Sequence, residues 1–151
     1  MDDLIECLKK TLADTFTFYL KAQFFHWNVE GPDFYQYHKM LKVIYKDVYS
    51  AIDPMAENIR TLGGYAPGSF SRYLELSSIK EPTDSDIPIP LNMLNDLEHC
   101  NQIVISSIEK CYELAEMHHE HGISNFLAER QGKHKKHGWF LRATIVDYDN
   151  I

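Results

Sequence analysis

The chain has 151 residues, 44% of them apolar and 25% charged, with a formal net charge of −7. That is enough for one domain with a full core, residues 1–151, and it leaves no run near the roughly 20 apolar residues that span a bilayer. An acidic chain suits cations and disfavours nucleic acid, whose phosphates call for a basic footprint.

The start, MDDLIECLKK, lacks the basic-then-apolar layout of a signal peptide. Cys7, Cys100 and Cys111 are odd in number and have no metal-type spacing, so reduced thiols and a cytoplasmic setting are expected. Residues 2–29 place Leu4, Leu8, Leu12, Phe16, Tyr19, Leu20 and Phe24 on a helical stripe. Gly31-Pro32-Asp33 then breaks the chain. A second stripe runs through Phe34, Tyr37, Leu41, Ile44, Val48, Ile52, Met55, Ile59 and Leu62, and stops at Gly63-Gly64. Pro54 lies inside this helix and predicts a kink at residues 50–54. Residues 64 to about 89 are rich in Pro, Ser, Gly and Asp and form a long connection, with SFSRYLELS as a short helix inside it. A third helix is expected from about Leu91 to His119 and a fourth from about Ser124 to Val146.

Four long helices joined by two short links and one long one imply an all-α, four-helix bundle. The second helix, near 30 residues, is about 45 Å long, and a link of about 25 residues can run back along it. Helix three then starts at the same end as helix two, giving an up-down-down-up, ferritin-like order.

His26 lies six residues before Pro32 and His38 six after it, so a hairpin turning there sets the two imidazoles at one height. Taken alone, the pair fits two partly buried histidines in aromatic surroundings at least as well as it fits a metal site. Asp53 and Glu57 are four apart and share one helical face. Their apolar neighbours Ile52, Met55, Ala56 and Ile59 weigh against a simply solvated pair, because buried carboxylates need a cation or hydrogen-bond partners. One chain cannot join the two pairs. His38 and Asp53 are 15 residues apart on one helix, about 22 Å, whereas metal–ligand bonds are about 2 Å. Two copies packed antiparallel near Lys46 can, and an isologous dimer would hold two identical sites with histidines from one chain and carboxylates from the other. Imidazole with carboxylate suits iron, with zinc, manganese and cobalt as competitors. Such ligands predict affinity that falls below about pH 6.

The run KAQFFHWNVEGPDFYQYH, the later AIDPMAENIRTLGG and the segment LAERQGKHKKHGWFLRA resemble the Dps proteins, the twelve-subunit miniferritins, over essentially the whole chain. The resemblance implies a hollow homo-dodecamer that oxidises ferrous iron, preferably with hydrogen peroxide, and stores the ferric product. It implies His26, His38, Asp53 and Glu57 as iron ligands, and Trp27 as the tryptophan that intercepts oxidising equivalents beside them. Lys42 stands one turn after His38, where many members carry an acid that helps bind a second metal, and Asn58 replaces an arginine common in the family. The family's acidic three-fold pores correspond to Glu116 and Glu120 here, with His121 and Asn125 at positions that are often aspartate.

Other signals carry less. Glu116-x-x-His119 has di-iron spacing, but no second copy of the motif accompanies it. His118, His119 and His121 with Glu120 read as a polar helix end, and KHKKHG, with His134 and His137, reads as a solvated basic face. DNA coating is the rival function in such a family, and passive divalent-metal binding is a third reading. The chain lacks a lysine-rich tail and ends in the acidic DYDNI, and twelve copies would carry about −84.

Overall fold

The computed structural model of the protein describes residues 1–147, which fold into helices without strands: α1 (Asp2–Asn28), α2 (Phe34–Thr61), α3 (Phe70–Leu76), α4 (Pro90–Met117) and α5 (His121–Ile145). The last four residues of the acidic end read from the sequence, 148–151, lie outside the described residues. No described helix is long and apolar enough to cross a membrane.

The helix ends follow from local chemistry. α2 closes on Gly63 at φ +89°, with Gly63 N–H donating to the Arg60 carbonyl (3.0 Å) and Gly64 N–H to that of Ile59 (3.1 Å). Pro90 opens α4, where its missing N–H costs no helical bond. α4 ends in the same two-bond turn as α2, but with His119 in the left-handed position at φ 59°. This tight ending shortens the α4–α5 link to three residues, so α5 begins at His121 and not near Ser124. α2 runs unbroken through Pro54.

Cross-helix contacts fix the topology. The amino terminus meets His118 (3.2 Å), Thr11 meets Ser107 (2.9 Å) and Lys21 meets Asp96 (2.6 Å), so α1 and α4 are antiparallel. Met40 meets Thr144 (3.4 Å) and, further along α2, Asp47 meets His137 and Arg130, so α2 and α5 are antiparallel as well. The order is therefore up-down-down-up. Two buried charges fasten the crossover to α1. Asp14 accepts from Lys10 Nζ, Ser78 N–H and the Ser77 hydroxyl, and Lys21 donates to the Lys80 carbonyl.

The core is built from Leu4, Leu8, Leu12, Leu41, Ile44, Met55, Leu97 and their neighbours. In the second half of α1 the buried face is Phe18, Ala22 and Phe25. Phe16, Leu20 and Phe24, part of the stripe read from the sequence, instead line a groove between α1 and α3 with Trp27, Phe70 and Leu74. This half of α1 carries two apolar faces, and among the described residues only one of them is buried in the core.

The basic segment of α5 also departs from expectation. Lys133, Lys135 and Lys136 are exposed, but His134 and His137 are buried. Asn101 clamps His134, its amide donating to the His134 carbonyl and its oxygen accepting from Nδ1, both at 2.8 Å. Burial holds His134 well below the ordinary histidine pKa, with neighbouring Arg130 and His137 acting in the same direction and Asp47 opposing them. A group neutral in the fold but protonated when unfolded makes folding proton-sensitive. Its stability is complete above the unfolded value of about 6.5 and declines as the pH falls below it. The urea midpoint should therefore drop between about pH 6.5 and pH 5 at constant protein concentration. A midpoint unchanged over that range would show that His134 is protonated in place.

Candidate metal centre

His26 sits in the last turn of α1 and His38 in the second turn of α2. The link between the helices is only Val29–Asp33, with Val29 buried and Gly31 at φ +122°, a backbone that glycine adopts without strain. The hairpin brings the two imidazoles into a near-parallel stack, with centroids 3.7 Å apart and planes 13° apart.

Each ring also bonds the other residue's backbone. His26 Nδ1 donates to the His38 carbonyl and His38 Nδ1 to the His26 carbonyl, both at 2.7 Å. A carbonyl only accepts, so both protons must sit on Nδ1. Both Nε2 lone pairs are then free in the neutral rings, as second-shell bonds leave them in metal-binding histidines. Burial holds His26 below the ordinary histidine range against the opposing hydrogen bond to the His38 carbonyl, and the Lys42 charge acts with burial. Lys42 is exposed, so its charge stands at the mouth of the pair.

Tyr45 closes the pair from one side, edge-on to His26 at 5.0 Å, while Phe34 stacks on His38 at 4.9 Å. Tyr45 escaped the sequence reading. The signal that could have found it is its seven-residue spacing from His38, two helical turns along the same face.

Asp53 and Glu57 are both exposed and make no hydrogen bond or ion pair among the described residues. This corrects the argument from their neighbours: Met55 and Ile59 are buried on the opposite side of α2, in the core. The chain does not bring the carboxylates to the histidines, and no group of three or more potential ligands is gathered among the described residues. Trp27 is 61% exposed, beside His26 and at the end of the α1–α3 groove.

At the α4–α5 turn, His118 bonds Asp3 (2.8 Å) and Glu116 lies 3.5 Å from His121. A hydrogen bond from Ser124, and then that from His121, holds the Glu116 carboxyl below the usual range. His119 has left the helix, so Glu116 and His119 do not share a helical face.

The ferritin-like domain family matches residues 5–151. The chain is 30% identical to DNA protection during starvation protein 2 of Bacillus anthracis over 142 residues, covering 94% of this chain and 96% of that protein. It superposes on a Dps protein of Vibrio cholerae, described as a member of a broad superfamily of ferritin-like diiron-carboxylate proteins. That match has a TM-score of 0.90 and 30% identity, covering 96% of this chain and 90% of the other. A Dps of Thermosynechococcus elongatus shares the fold at a TM-score of 0.93 and 21% identity, covering 99% and 94%.

Proposed function

This chain belongs to the Dps family of ferritin-like proteins, and from that premise we propose that it is a ferroxidase and iron store working in a dodecameric shell. An iron-binding role goes with the family. The finer reading is that ferrous iron binds between two copies, held by His26 and His38 of one and Asp53 and Glu57 of the other, and is oxidised there by hydrogen peroxide.

The observation that carries this reading is the reciprocal histidine lock, which holds two free Nε2 donors side by side. The unpaired carboxylates supply the anionic half, and anionic ligands favour ferric over ferrous iron. The unfilled α1–α3 groove and the exposed Val43 and Tyr49 on α2 supply apolar surface for a partner copy. Two ferrous ions give one electron each to a peroxide, which leaves as two hydroxides without releasing a hydroxyl radical. Trp27, exposed beside His26, is placed to intercept an oxidising equivalent that escapes. Lys42 weakens the case for a second tightly held cation, because its ammonium would repel one. Net charge opposes coating of DNA.

The test is native mass followed by anaerobic loading. A dodecamer given about two ferrous ions per chain and then peroxide should consume roughly one peroxide per two irons. A monomeric protein, or a rate equal to that of free iron in buffer, would overturn the reading.

A further inference from the structure

All three cysteines are free, and two of them meet. Cys7 on α1 and Cys111 on α4 stand opposite one another, because the two helices are antiparallel and Thr11 meets Ser107 one turn along each of them. Thr11, one turn after Cys7, donates its hydroxyl to the Cys7 carbonyl (2.9 Å) and lies 3.2 Å from Cys111 Sγ. The two sulfurs thus face one another across the α1–α4 seam, one inside and one at its edge. Cys111 is wholly buried, whereas Cys7 is half-buried and opens into a groove of about 280 Å³ lined also by Lys10, Lys110, His99 and Gln102. This groove is far from the histidine pair. Cys7 lies in the second turn of α1 and His26 in its last, about 28 Å along the helix.

We infer that Cys7 and Cys111 form a dithiol that reduces hydroperoxides admitted by this groove, closing a disulfide between α1 and α4 of one chain. The environment divides the two roles. The Cys111 thiol beside it lowers the Cys7 thiol below its ordinary pKa against the opposing effect of burial, and Thr11, Lys10 and Lys110 assist. The Cys111 thiol is pushed up by the neighbouring Cys7 and by burial, so it stays protonated as the second reactant.

In the first step the Cys7 thiolate attacks one peroxide oxygen. The S–O bond forms, the O–O bond breaks, and the departing hydroxide or alkoxide takes up the proton that left Cys7. Cys7 is then a sulfenic acid. In the second step Cys111 sulfur attacks Cys7 sulfur, the S–O bond breaks, and hydroxide leaves with the Cys111 proton as water. Two thiols are oxidised and one peroxide is reduced, and an external dithiol restores the pair. Closing the disulfide brings the two sulfurs, which already face each other across the seam, to about 2 Å. Cys100 is an internal control: it is buried, beside Lys21 Nζ (3.5 Å) and Asp96 (3.8 Å), and has no thiol partner among the described residues.

The inference involves no metal, so it is tested on the assembled protein after chelation, reduced and then given hydrogen peroxide equimolar with chains. Two of the three thiols per chain should disappear, peptide mapping should find Cys7 joined to Cys111, and dithiothreitol should reverse both changes. Cys111→Ser should leave a Cys7 sulfenic acid that dimedone traps, and Cys7→Ser should slow peroxide loss about tenfold or more. Retention of all three thiols in the wild type, or a cross-link through Cys100 or between chains, would overturn the proposal without any variant having to fold. So would peroxide loss unchanged in Cys7→Ser.

Discussion

Chains carrying His26→Ala with His38→Ala, co-assembled with chains carrying Asp53→Ala with Glu57→Ala, should recover about a quarter of the wild-type rate of iron oxidation, although each parent alone has almost none. The expectation follows from the separation of His38 from Asp53 and Glu57 along α2. In a homodimer of either parent, both sites lack half of their ligands, and the rate should fall about a hundredfold or more, as loss of ligands and of their orienting bonds does in metal sites. In a mixed dimer one site has lost everything, while the other joins intact histidines to intact carboxylates. Random pairing makes about half of the dimers mixed, and half of their sites are whole. A site closed within one chain gives the opposite result, because every chain in the mixture is defective. A rate that stays at the parental level in particles shown by mass to contain both chains would therefore dispose of the shared site. It would leave membership of the family untouched.

The features that made this site legible in the sequence are those that act locally. The spacing of His26 and His38 about Pro32 needs only a hairpin, and the hairpin forms because Gly31 can take positive φ and Val29 finds the core. The crossover was legible from its composition, and its short helix starts where Ser69 accepts from Arg72 N–H. Features that depend on distant partners were not legible. Leu20 and Phe24 obey the helical period as well as Phe18 and Phe25 do, and only packing decides which face the core takes. Asp53 and Glu57 have apolar neighbours in sequence that turn away from them in space. The α4–α5 turn was misplaced because His119 occupies a position where glycine is the usual signal.

Arg130, His134 and His137 are the sharpest case. On sequence they are part of a charged stretch, and the bland reading of such a stretch is solvent. Their burial is possible because Asp47 waits on α2, some 83 residues earlier than Arg130, and Asn101 on α4. A polar interior face of this kind has no hydrophobic period to detect. It becomes visible only once the helices are docked and each polar group can be matched with its partner.

Asp47→Ala should accordingly be among the most destabilising single substitutions in the chain, by about 3–5 kcal/mol, with a melting temperature roughly 10 °C lower at equal protein concentration. Arg130 holds the carboxylate with two bonds, at 3.1 and 2.9 Å, and His137 Nε2 lies 2.6 Å from it. Arg130 Nε and His137 Nδ1 are already buried without a protein partner, and the unspent His134 Nε2 is a neutral acceptor that cannot replace the carboxylate's charge. Removing Asp47 strands a guanidinium and an imidazole in the α2–α5 seam, and that desolvation sets the size of the loss. Burial would raise the Asp47 carboxyl, but the hydrogen bonds from His137 and Arg130, with the charge behind them, outweigh it and hold the group well below the usual carboxylate range. A carboxyl depressed in the fold contributes stability above its unfolded pKa of about 3.8 and loses it as the pH falls further. The wild type should thus lose stability in two stages on acidification, first with His134 below about pH 6.5 and then with Asp47 below about pH 4. Asp47→Ala should shrink the second stage, leaving the part that Asp3 and Glu116 contribute, and keep the first. Replacing Asp47, Arg130 and His137 together by apolar residues of similar volume should recover most of the loss, since the penalty lies in the unpaired charges and not in the missing bonds. If Asp47→Ala instead melted within about 2 °C of the wild type, the charges would have to be reaching water, and the cluster could not be what fixes α5 against α2.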